Sequence, residues 1–254
     1  MEISAKQVNV PVLGLFDITK PTMPRAFNVL EGVTKGQILV DDLARPSWGV
    51  VREAVYGTLY FGGVANKLHV YSCVEHFRLV GEVGIGCWLD DELNGLLPPN
   101  PGYDGRTLYF TERIANNDLL NIQLPSGYVL AMRDQSLFEQ SFDYKSTLDS
   151  FGSIESLMNQ TLGSVILHND KVVCEAATGA PTHGLIEVGV TTHESHRQLG
   201  LAAIACASLI ARCEAQGYKT WWDCAKQNLS STRLARKLGY QNEREYRYIW
   251  WQKQ

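Results

Sequence analysis

Apolar and polar positions follow regular periods mainly in the second half of the chain. Alternating or continuous apolar runs predict strands, and apolar residues spaced three and four apart predict helices. An alanine-rich helix shows the second pattern, with Cys206, Ile210 and Cys213 on one apolar stripe and Gly217 suited to end it. The elements predicted for this half are, in order, a helix at 153–160, strands at 163–168, 171–177 and 185–192, a helix at 199–215, a strand at 220–223, a helix at 230–238 and a strand at 246–251.

The first half of the chain predicts a mixed α/β unit. Its predicted elements are a strand and turn at 27–32, strands at 36–42 and 49–60, a helix at 87–97, and strands at 107–112 and 127–133. A proline- and glycine-rich cluster at 96–102 is the clearest break in the pattern. Because this unit ends near Tyr144, we predict two domains, 1–145 and 146–254.

The most informative local motif is the turn between the strand at 185–192 and the alanine-rich helix. It reads His196-Arg197-Gln198-Leu199-Gly200-Leu201-Ala202. A strand that feeds such a turn aims several backbone N–H groups of the following helix at one point, where the free donors and the helix dipole favour an anion. Gly200 allows close approach of the backbone, and Ala202 leaves room for phosphate oxygens. The motif therefore predicts a pyrophosphate site, although an isolated turn of this kind is also compatible with an ordinary helix start.

Composition narrows the classes of partner. The formal net charge is −4, without the basic patch typical of nucleic-acid binding, and is mildly compatible with a cationic substrate. No apolar run approaches the ~20 residues needed to span a bilayer, and no charged leader precedes an apolar run. The six cysteines lack the spacing of a zinc site. We therefore expect a cytoplasmic protein with reduced thiols that binds no metal, nucleic acid or membrane.

Several separated motifs, in this order, resemble the GCN5-related N-acetyltransferases over roughly the last hundred residues. They are 186–191, the Arg197-x-x-Gly200-x-Ala202 turn, 222–225, and Asn228 opening a helix that ends Lys237-Leu238-Gly239-Tyr240. Within that superfamily they are similar to the subgroup typified by the zwittermicin A resistance acetyltransferase, and the stretches 29–32 and 36–42 followed by Pro46 extend the similarity upstream.

The resemblance implies the fold class, an α/β (α+β) fold with a mixed, mostly antiparallel twisted sheet flanked by helices. The smaller amino-terminal α/β unit would be a companion domain, and a degenerate copy of the same fold is one interpretation of it.

The resemblance also implies acetyl-CoA as co-substrate and assigns residues to it. The strand before the turn is splayed from its neighbour by a bulge in the superfamily, and Gly189 is independently typical of a bulge or of a close backbone approach. The implied cofactor-binding residues are Val188, Gly189, Val190, Arg197, Gln198, Leu199, Gly200, Leu201, Ala202 and Asn228. The turn would act mainly through backbone N–H groups, and Asn228 could equally be a helix N-cap.

Glu187 is the candidate general base, because it matches an acidic position of the superfamily and a carboxylate can take the proton of an ammonium group. The alternative is a carboxylate paired with a neighbouring strand or with Arg197. The tyrosine that many members place four residues before Gly239, as general acid, is Ala235 here. Replacements considered are Tyr240, Tyr246, Tyr248 and Ser231, or unassisted departure of the thiolate.

The main hypothesis is an N-acetyltransferase that acts on a primary amine of a small molecule, an antibiotic or metabolite, by direct attack in a ternary complex. The alternatives are a protein or peptide N-acetyltransferase and a non-catalytic acyl-CoA-binding module; a homodimer stays open. Two motifs are set aside. The glycines of 81–86 lack the order and context of a dinucleotide loop, and His183, His193 and His196 show no ligand spacing.

Overall fold

The computed structural model describes the backbone of all 254 residues and the side chains of all except Asn117 and Leu120. Its contacts divide the chain into two compact units, the first formed by Met1–Thr107 and Glu245–Gln254 and the second by Leu108–Arg244. The predicted boundary between residues 145 and 146 falls inside the second unit. The assignment of domains to 1–145 and 146–254 stays a prediction.

The strands are β1 Glu2–Ile3, β2 Gly36–Val40, β3 Trp48–Glu53, β4 Thr58–Gly63, β5 Val83–Trp88, β6 Tyr103–Phe110, β7 Glu112–Arg113, β8 Tyr128–Met132, β9 Gly163–His168, β10 Lys171–Thr178, β11 Leu185–Thr192, β12 Lys219–Ala225, β13 Tyr240–Gln241 and β14 Arg244–Trp251. The α-helices are α1 Val10–Leu13, α2 Met23–Leu30, α3 Lys67–Arg78, α4 Gln135–Phe138, α5 Tyr144–Phe151, α6 Ile154–Gln160, α7 Leu201–Ala215 and α8 Leu229–Lys237. Short 3₁₀ turns lie at Ala5–Gln7, Glu92–Leu96, Asn117–Asn121 and Glu194–His196.

In the first unit, neighbouring strands run in the order β1-β2-β3-β4-β5-β14. All these pairs are antiparallel except β4 and β5, which are parallel. Successive residues of a strand face opposite sides of a sheet. Accordingly, Val51 packs with the residues of α2, whereas Val50 packs with those of α3. The two helices therefore cover opposite faces of this sheet.

In the second unit, the order is β12-β11-β10-β9-β8. The pair β11 and β12 is parallel, and the pairs from β11 to β8 are antiparallel. Helix α7 supplies a large share of the core, with Ala205, Cys206 and Ile210 fully buried against Cys174 and Ile186 of the sheet. This helix begins at the predicted anion turn, so the core fixes where the turn lies.

The elements predicted for the second half are confirmed, with shifts of one or two residues at most ends. The strands at 163–168 and 185–192 agree with β9 and β11. The predicted helix start at 199 moves to Leu201, because Gly200 has a left-handed backbone with φ 79° and caps the helix. Helix α6 begins after Ser153, whose hydroxyl accepts the N–H of Ser156.

Three predictions for the first half are wrong. Residues 27–32 end helix α2 instead of forming a strand, because Pro24 starts a helix whose face of Met23, Phe27 and Leu30 is buried. The predicted single strand at 49–60 is the hairpin β3–β4. Its turn is fixed by Glu53, whose carboxylate accepts the N–H groups of Val55 and Tyr56.

The predicted helix at 87–97 is the third error: it divides into the end of β5 and a 3₁₀ turn capped by Asp91. Helix α3 is not predicted at all. With these corrections, β2-β3-β4-α3-β5 in the first unit repeats the order and pairing of β9-β10-β11-α7-β12 in the second. The repeated order supports the interpretation of the first unit as a second copy of one fold.

Candidate functional site

The two parallel strands of the second unit separate part of the way along their length. Paired positions are Leu185 with Lys219, Ile186 with Thr220 and Glu187 with Trp221, after which the pairing stops although both strands continue. Residues 187 and 193 bond towards β10, so Val188 and Val190 turn their backbone groups to the opposite side. Over the described residues, Val190 has no strand partner on that side. A wedge-shaped opening therefore begins at Glu187.

The bulge expected in β11 is absent. Its register against β10 is continuous from Val188 to Thr192, and a register shift lies instead between β10 and β9, at Val172 and Cys174. Gly189 thus serves a different purpose. A Cβ built on it would have no atom within 4 Å, so the protein itself leaves open space over this residue. The close-approach interpretation of Gly189 fits this geometry.

Glu187 lies at the point where the strands separate and is half-buried. A Cβ built on the neighbouring Gly179 would lie 3.6 Å from Glu187 Oε2, so a glycine borders the carboxylate. The guanidinium of Arg197 is directed elsewhere, since its Nε donates to the carbonyl of Thr192 at 3.2 Å. The position suits a group that accepts a proton in the opening, and the role of Glu187 as base stays a prediction.

The anion turn presents a row of backbone donors. Gln198 and Gly200 both have positive φ, 65° and 79°, which turns successive N–H groups the same way. In the part of the chain that the structure describes, the N–H groups of 198–202 have no acceptor, and residues 197–200 are exposed. Val188 and Leu201 have side chains buried in the core, so these two could contribute only backbone groups. This geometry is compatible with the predicted pyrophosphate site, which stays a prediction.

Asn228 is the N-cap of α8. Its Oδ1 accepts the N–H of Ser231 at 3.1 Å and the hydroxyl of Ser230 at 2.8 Å. The side chain is exposed, and its Nδ2 has no acceptor among the described residues. The capping interpretation is therefore correct, and a second role toward a ligand stays a prediction.

The residues considered as the general acid differ in their surroundings. Ala235 is fully buried in α8. Tyr240 is also buried, its hydroxyl donates to Thr220 at 2.8 Å, and burial raises the pKa of this phenol far above its ordinary value. Tyr246 and Tyr248 lie in the first unit, on β14. Ser231 is half-buried and its Oγ accepts from Trp222 at 3.1 Å, which leaves the hydroxyl hydrogen able to donate.

A cluster of rings next to the turn is only partly anticipated by the sequence. Tyr128 stacks on His168 with centroids 4.5 Å apart, and its hydroxyl is 2.7 Å from His196 Nδ1. The His168 and His196 centroids are 5.3 Å apart, and those of His193 and His196 are 5.9 Å apart. We call Tyr128, His168, His193 and His196 the imidazole cluster. The described side chains include no group of three His, Cys, Asp or Glu residues arranged to hold a metal ion.

The glycines of 81–86 and the six cysteines have structural explanations. Gly84 and Gly86 lie in β5, where a Cβ on either would meet the rings of Tyr248 and Tyr246 on the paired strand β14. They make room for cross-strand aromatic rings. The six cysteines are all free and buried, and burial raises the pKa of the Cys174 and Cys213 thiols to about 11. They are core residues.

Known proteins similar to this chain agree on one family. The model of a family described as GNAT acetyltransferase matches residues 103–249. The "Uncharacterized N-acetyltransferase YdfB" of Bacillus subtilis (strain 168) is 33% identical over 127 residues, which are 49% of this chain and 49% of that protein. The chain thus spans about half the length of this curated relative.

Solved structures extend the similarity to the full chain. A GCN5-related N-acetyltransferase-like protein from Streptococcus suis 89/1591 has a TM-score of 0.73 and 26% identity, over 98% of this chain and 100% of that one. The tandem GNAT protein from the clavulanic acid biosynthesis pathway has a TM-score of 0.61 over 100% and 98% of the two chains, and at 9% identity it shows the fold alone. No helix among the described residues has both the length and the apolarity to cross a membrane.

Proposed function

Since the chain belongs to the GNAT acetyltransferase family, we propose that it transfers the acetyl group of acetyl-CoA to a primary amine of a small molecule. The GNAT fold and the acyltransferase class follow from the family; the cofactor, acceptor and mechanism are the proposal. The motifs similar to the zwittermicin A resistance subgroup favour an aminated antibiotic or metabolite as acceptor. A cytoplasmic location, in keeping with buried free thiols, and a homodimer stay predictions.

The separation of β11 from β12 directly before the anion turn carries this proposal. The opening leaves backbone groups of Val190 available, and the next residues along the chain supply the free N–H groups of 198–202. A ligand with an amide-containing arm and a pyrophosphate could use both at once, the arm along the strand and the anion at the helix start. Acetyl-CoA has that composition.

The residues in the opening support direct transfer. When bound, the thioester supplies an activated acetyl group and a thiol leaving group. Glu187, at the start of the opening, would take the ammonium proton so that the amine attacks as a neutral nucleophile. Backbone N–H groups along β11 would stabilise charge on the carbonyl oxygen. Ser231 could donate a proton to the departing thiolate, which is a good leaving group without help because a thiol has a pKa of about 8.5.

One observation favours a different function. The usual acid position is Ala235, and the buried Tyr240 donates its hydroxyl to Thr220, which suits an acyl-CoA-binding module without catalysis. The peptide N-acetyltransferase hypothesis has no such support from the described residues. Both alternatives keep the cofactor site, so turnover assays separate them from the main proposal.

Calorimetry and thiol release test the proposal. We expect acetyl-CoA to bind and a panel of small amines, in preference to peptides, to release free thiol. Glu187→Gln should lower turnover about a hundredfold or more at neutral pH, the typical scale of lost general-base catalysis, and leave acetyl-CoA affinity unchanged. Glu139→Gln, at an exposed position in α4's C-cap, is the matched control.

Each result has a defined meaning. Absence of acetyl-CoA binding would refute the interpretation that the backbone N–H groups of 198–202 bind a pyrophosphate. Binding without turnover on a broad panel of amines and peptides would favour the non-catalytic module. An unchanged pH–rate profile in the Glu187 variant would exclude that residue as the base.

A further inference from the structure

The imidazole cluster is not used by the acetyl transfer proposed above, yet it adjoins the anion turn. His196 lies two residues before Gln198, so their Cα atoms are at most about 7 Å apart. The ring-centroid separations of 5.3 Å and 5.9 Å allow one small group to accept hydrogen bonds from two rings, because each N–H···O bond spans about 2.9 Å. The cluster is therefore placed to bind a second group of the same ligand, next to the pyrophosphate.

All three histidines have Nδ1 engaged. His168 Nδ1 lies 3.0 Å from the carbonyl of Gly127, His196 Nδ1 lies 2.7 Å from the Tyr128 hydroxyl, and His193 Nδ1 lies 2.8 Å from Ser195 Oγ. Their Nε2 atoms have no partner among the described residues. Three fixed rings with free Nε2 atoms form a set of potential donors.

His168 differs from the other two. A carbonyl only accepts, so Nδ1 of His168 must hold its proton, and in the neutral ring Nε2 then has a lone pair. In His196 and His193 a hydroxyl can donate to Nδ1, which lets a neutral ring keep a donor at Nε2. His168 therefore becomes a donor at Nε2 only when the ring gains a second proton.

We propose that the imidazole cluster binds a phosphoryl group outside the pyrophosphate, the 3′-phosphate of coenzyme A, with protonated His168 as one of its donors. This inference rests on the proposed function, because the same nucleotide must occupy the anion turn. Histidine changes charge between about pH 5 and 8, so binding of this phosphate strengthens as the pH falls through that range.

The other charged groups around the cluster nearly cancel. Glu194 and Arg197 lie on the segment that carries His193 and His196, and Asp170 and Lys171 lie in the turn after His168. Strand β8, which carries Tyr128, has no charged side chain. Two acids and two bases leave the histidines as the groups that set the charge of this patch.

The test compares coenzyme A with dephospho-coenzyme A, which lacks the 3′-phosphate, by calorimetry between pH 6 and 8. We expect the wild-type protein to bind coenzyme A about three- to tenfold more tightly at pH 6 than at pH 8, since one linked proton changes affinity by at most tenfold per pH unit. Dephospho-coenzyme A should show no such change.

His168→Gln identifies the group. Its carboxamide offers an N–H donor near the place of Nε2 that does not titrate, so the preference for coenzyme A should persist at pH 8 while the gain toward pH 6 disappears. The 3′-phosphate itself loses negative charge as the pH falls toward 6, because its second pKa is about 6, and this weakens binding. In the His168→Gln variant only this weakening should be measured. His76→Gln, an exposed histidine of α3, is the matched control and should behave as the wild type.

The outcomes are distinguishable. If neither nucleotide binds, the proposed function fails and this inference fails with it. If both bind with equal affinity at every pH, the inference alone is overturned. If the gain toward pH 6 persists in His168→Gln, another group carries the proton and the assignment to His168 is wrong; melting temperatures confirm that each variant is folded.

Discussion

Substitution of Gly189 by Val separates the stability of the fold from the function of the opening. A glycine inside a strand costs about 0.5–1 kcal/mol relative to alanine, and β-branched residues are favoured in strands. No atom lies within 4 Å of a Cβ built at this position, so the added Cβ meets no steric conflict within the protein. We expect the free energy of unfolding to rise by about 0.5–1 kcal/mol, which corresponds to roughly 1–4 °C in melting temperature for a chain of this size.

Function should change in the opposite direction. The valine methyl groups would occupy the space over β11 on the side that carries Glu187, two residues away on the same face. A cofactor or acceptor positioned there loses its place, and a displacement of about 1 Å can reduce the rate about a hundredfold. We expect kcat/KM to fall at least about tenfold, equivalent to about 1.4 kcal/mol.

Thermal unfolding and thiol release on the same preparation measure both effects. Gly95→Ala is the control, because Gly95 also has no atom within 4 Å of its built Cβ but lies in the first unit. A melting temperature lowered by several degrees would show that β11 itself needs glycine. Unchanged kcat/KM and unchanged acetyl-CoA affinity would show that the open space over Gly189 is not part of the site.

Two further changes test other parts of the second unit. Glu175→Gln should lower the free energy of unfolding in urea by about 3–5 kcal/mol, because it leaves the buried guanidinium of Arg133, 2.9 Å from Glu175 in the structure, without its anion. The Arg133→Met/Glu175→Leu double variant should recover most of this loss. A loss under 1 kcal/mol in Glu175→Gln would contradict the reasoning. Asn228→Ala should lower the free energy of unfolding by about 1 kcal/mol through the lost cap of α8, with little change in turnover. A larger loss of acetyl-CoA binding free energy than of stability would establish a direct contact with the ligand. Unchanged stability would contradict the capping role.

The second half was predictable because its elements obey local rules. Helix α7 carries an apolar stripe with Gly200 before it and Gly217 after it, and β9 and β11 are bounded by turn residues. These signals lie within a few residues of each other, so the chain alone contains them. The exposed donors of 198–202 could be anticipated for the same reason.

Several structural features of the first half are determined by tertiary contacts, which a local sequence pattern does not contain. The hairpin β3–β4 has no Asn-Gly or Asp-Gly turn; instead Glu53, 5% exposed, organises it by accepting backbone N–H groups. The glycines of β5 accommodate rings from β14, which lies more than 150 residues away along the chain. Likewise, Tyr128 and His168 meet only because β8 pairs with β9. No local pattern reports such contacts.

Comparison of the two repeated strand–helix–strand sets explains why one of them has an open site. In the first unit, β4 and β5 also pair only at their start, through Thr58 with Gly84 and Leu59 with Ile85. There, however, the carbonyl of Leu15 accepts the N–H of Gly63 at 2.9 Å, at the end of β4.

The turn into the following helix is closed as well: the N–H of Val64 donates to the carbonyl of Ser47 at 2.9 Å, and the N–H of Asn66, the N-cap of α3, donates to His69 Nδ1 at 3.3 Å. The protein's own groups thus satisfy donors at β4 and α3 whose counterparts at Val190 and 198–202 have no partner among the described residues. A backbone donor that is already satisfied gains little from a ligand, because binding must then replace an existing hydrogen bond. We therefore expect the same topology to serve as a scaffold in the first unit and as a ligand site in the second, with one acetyl-CoA bound per chain in calorimetry.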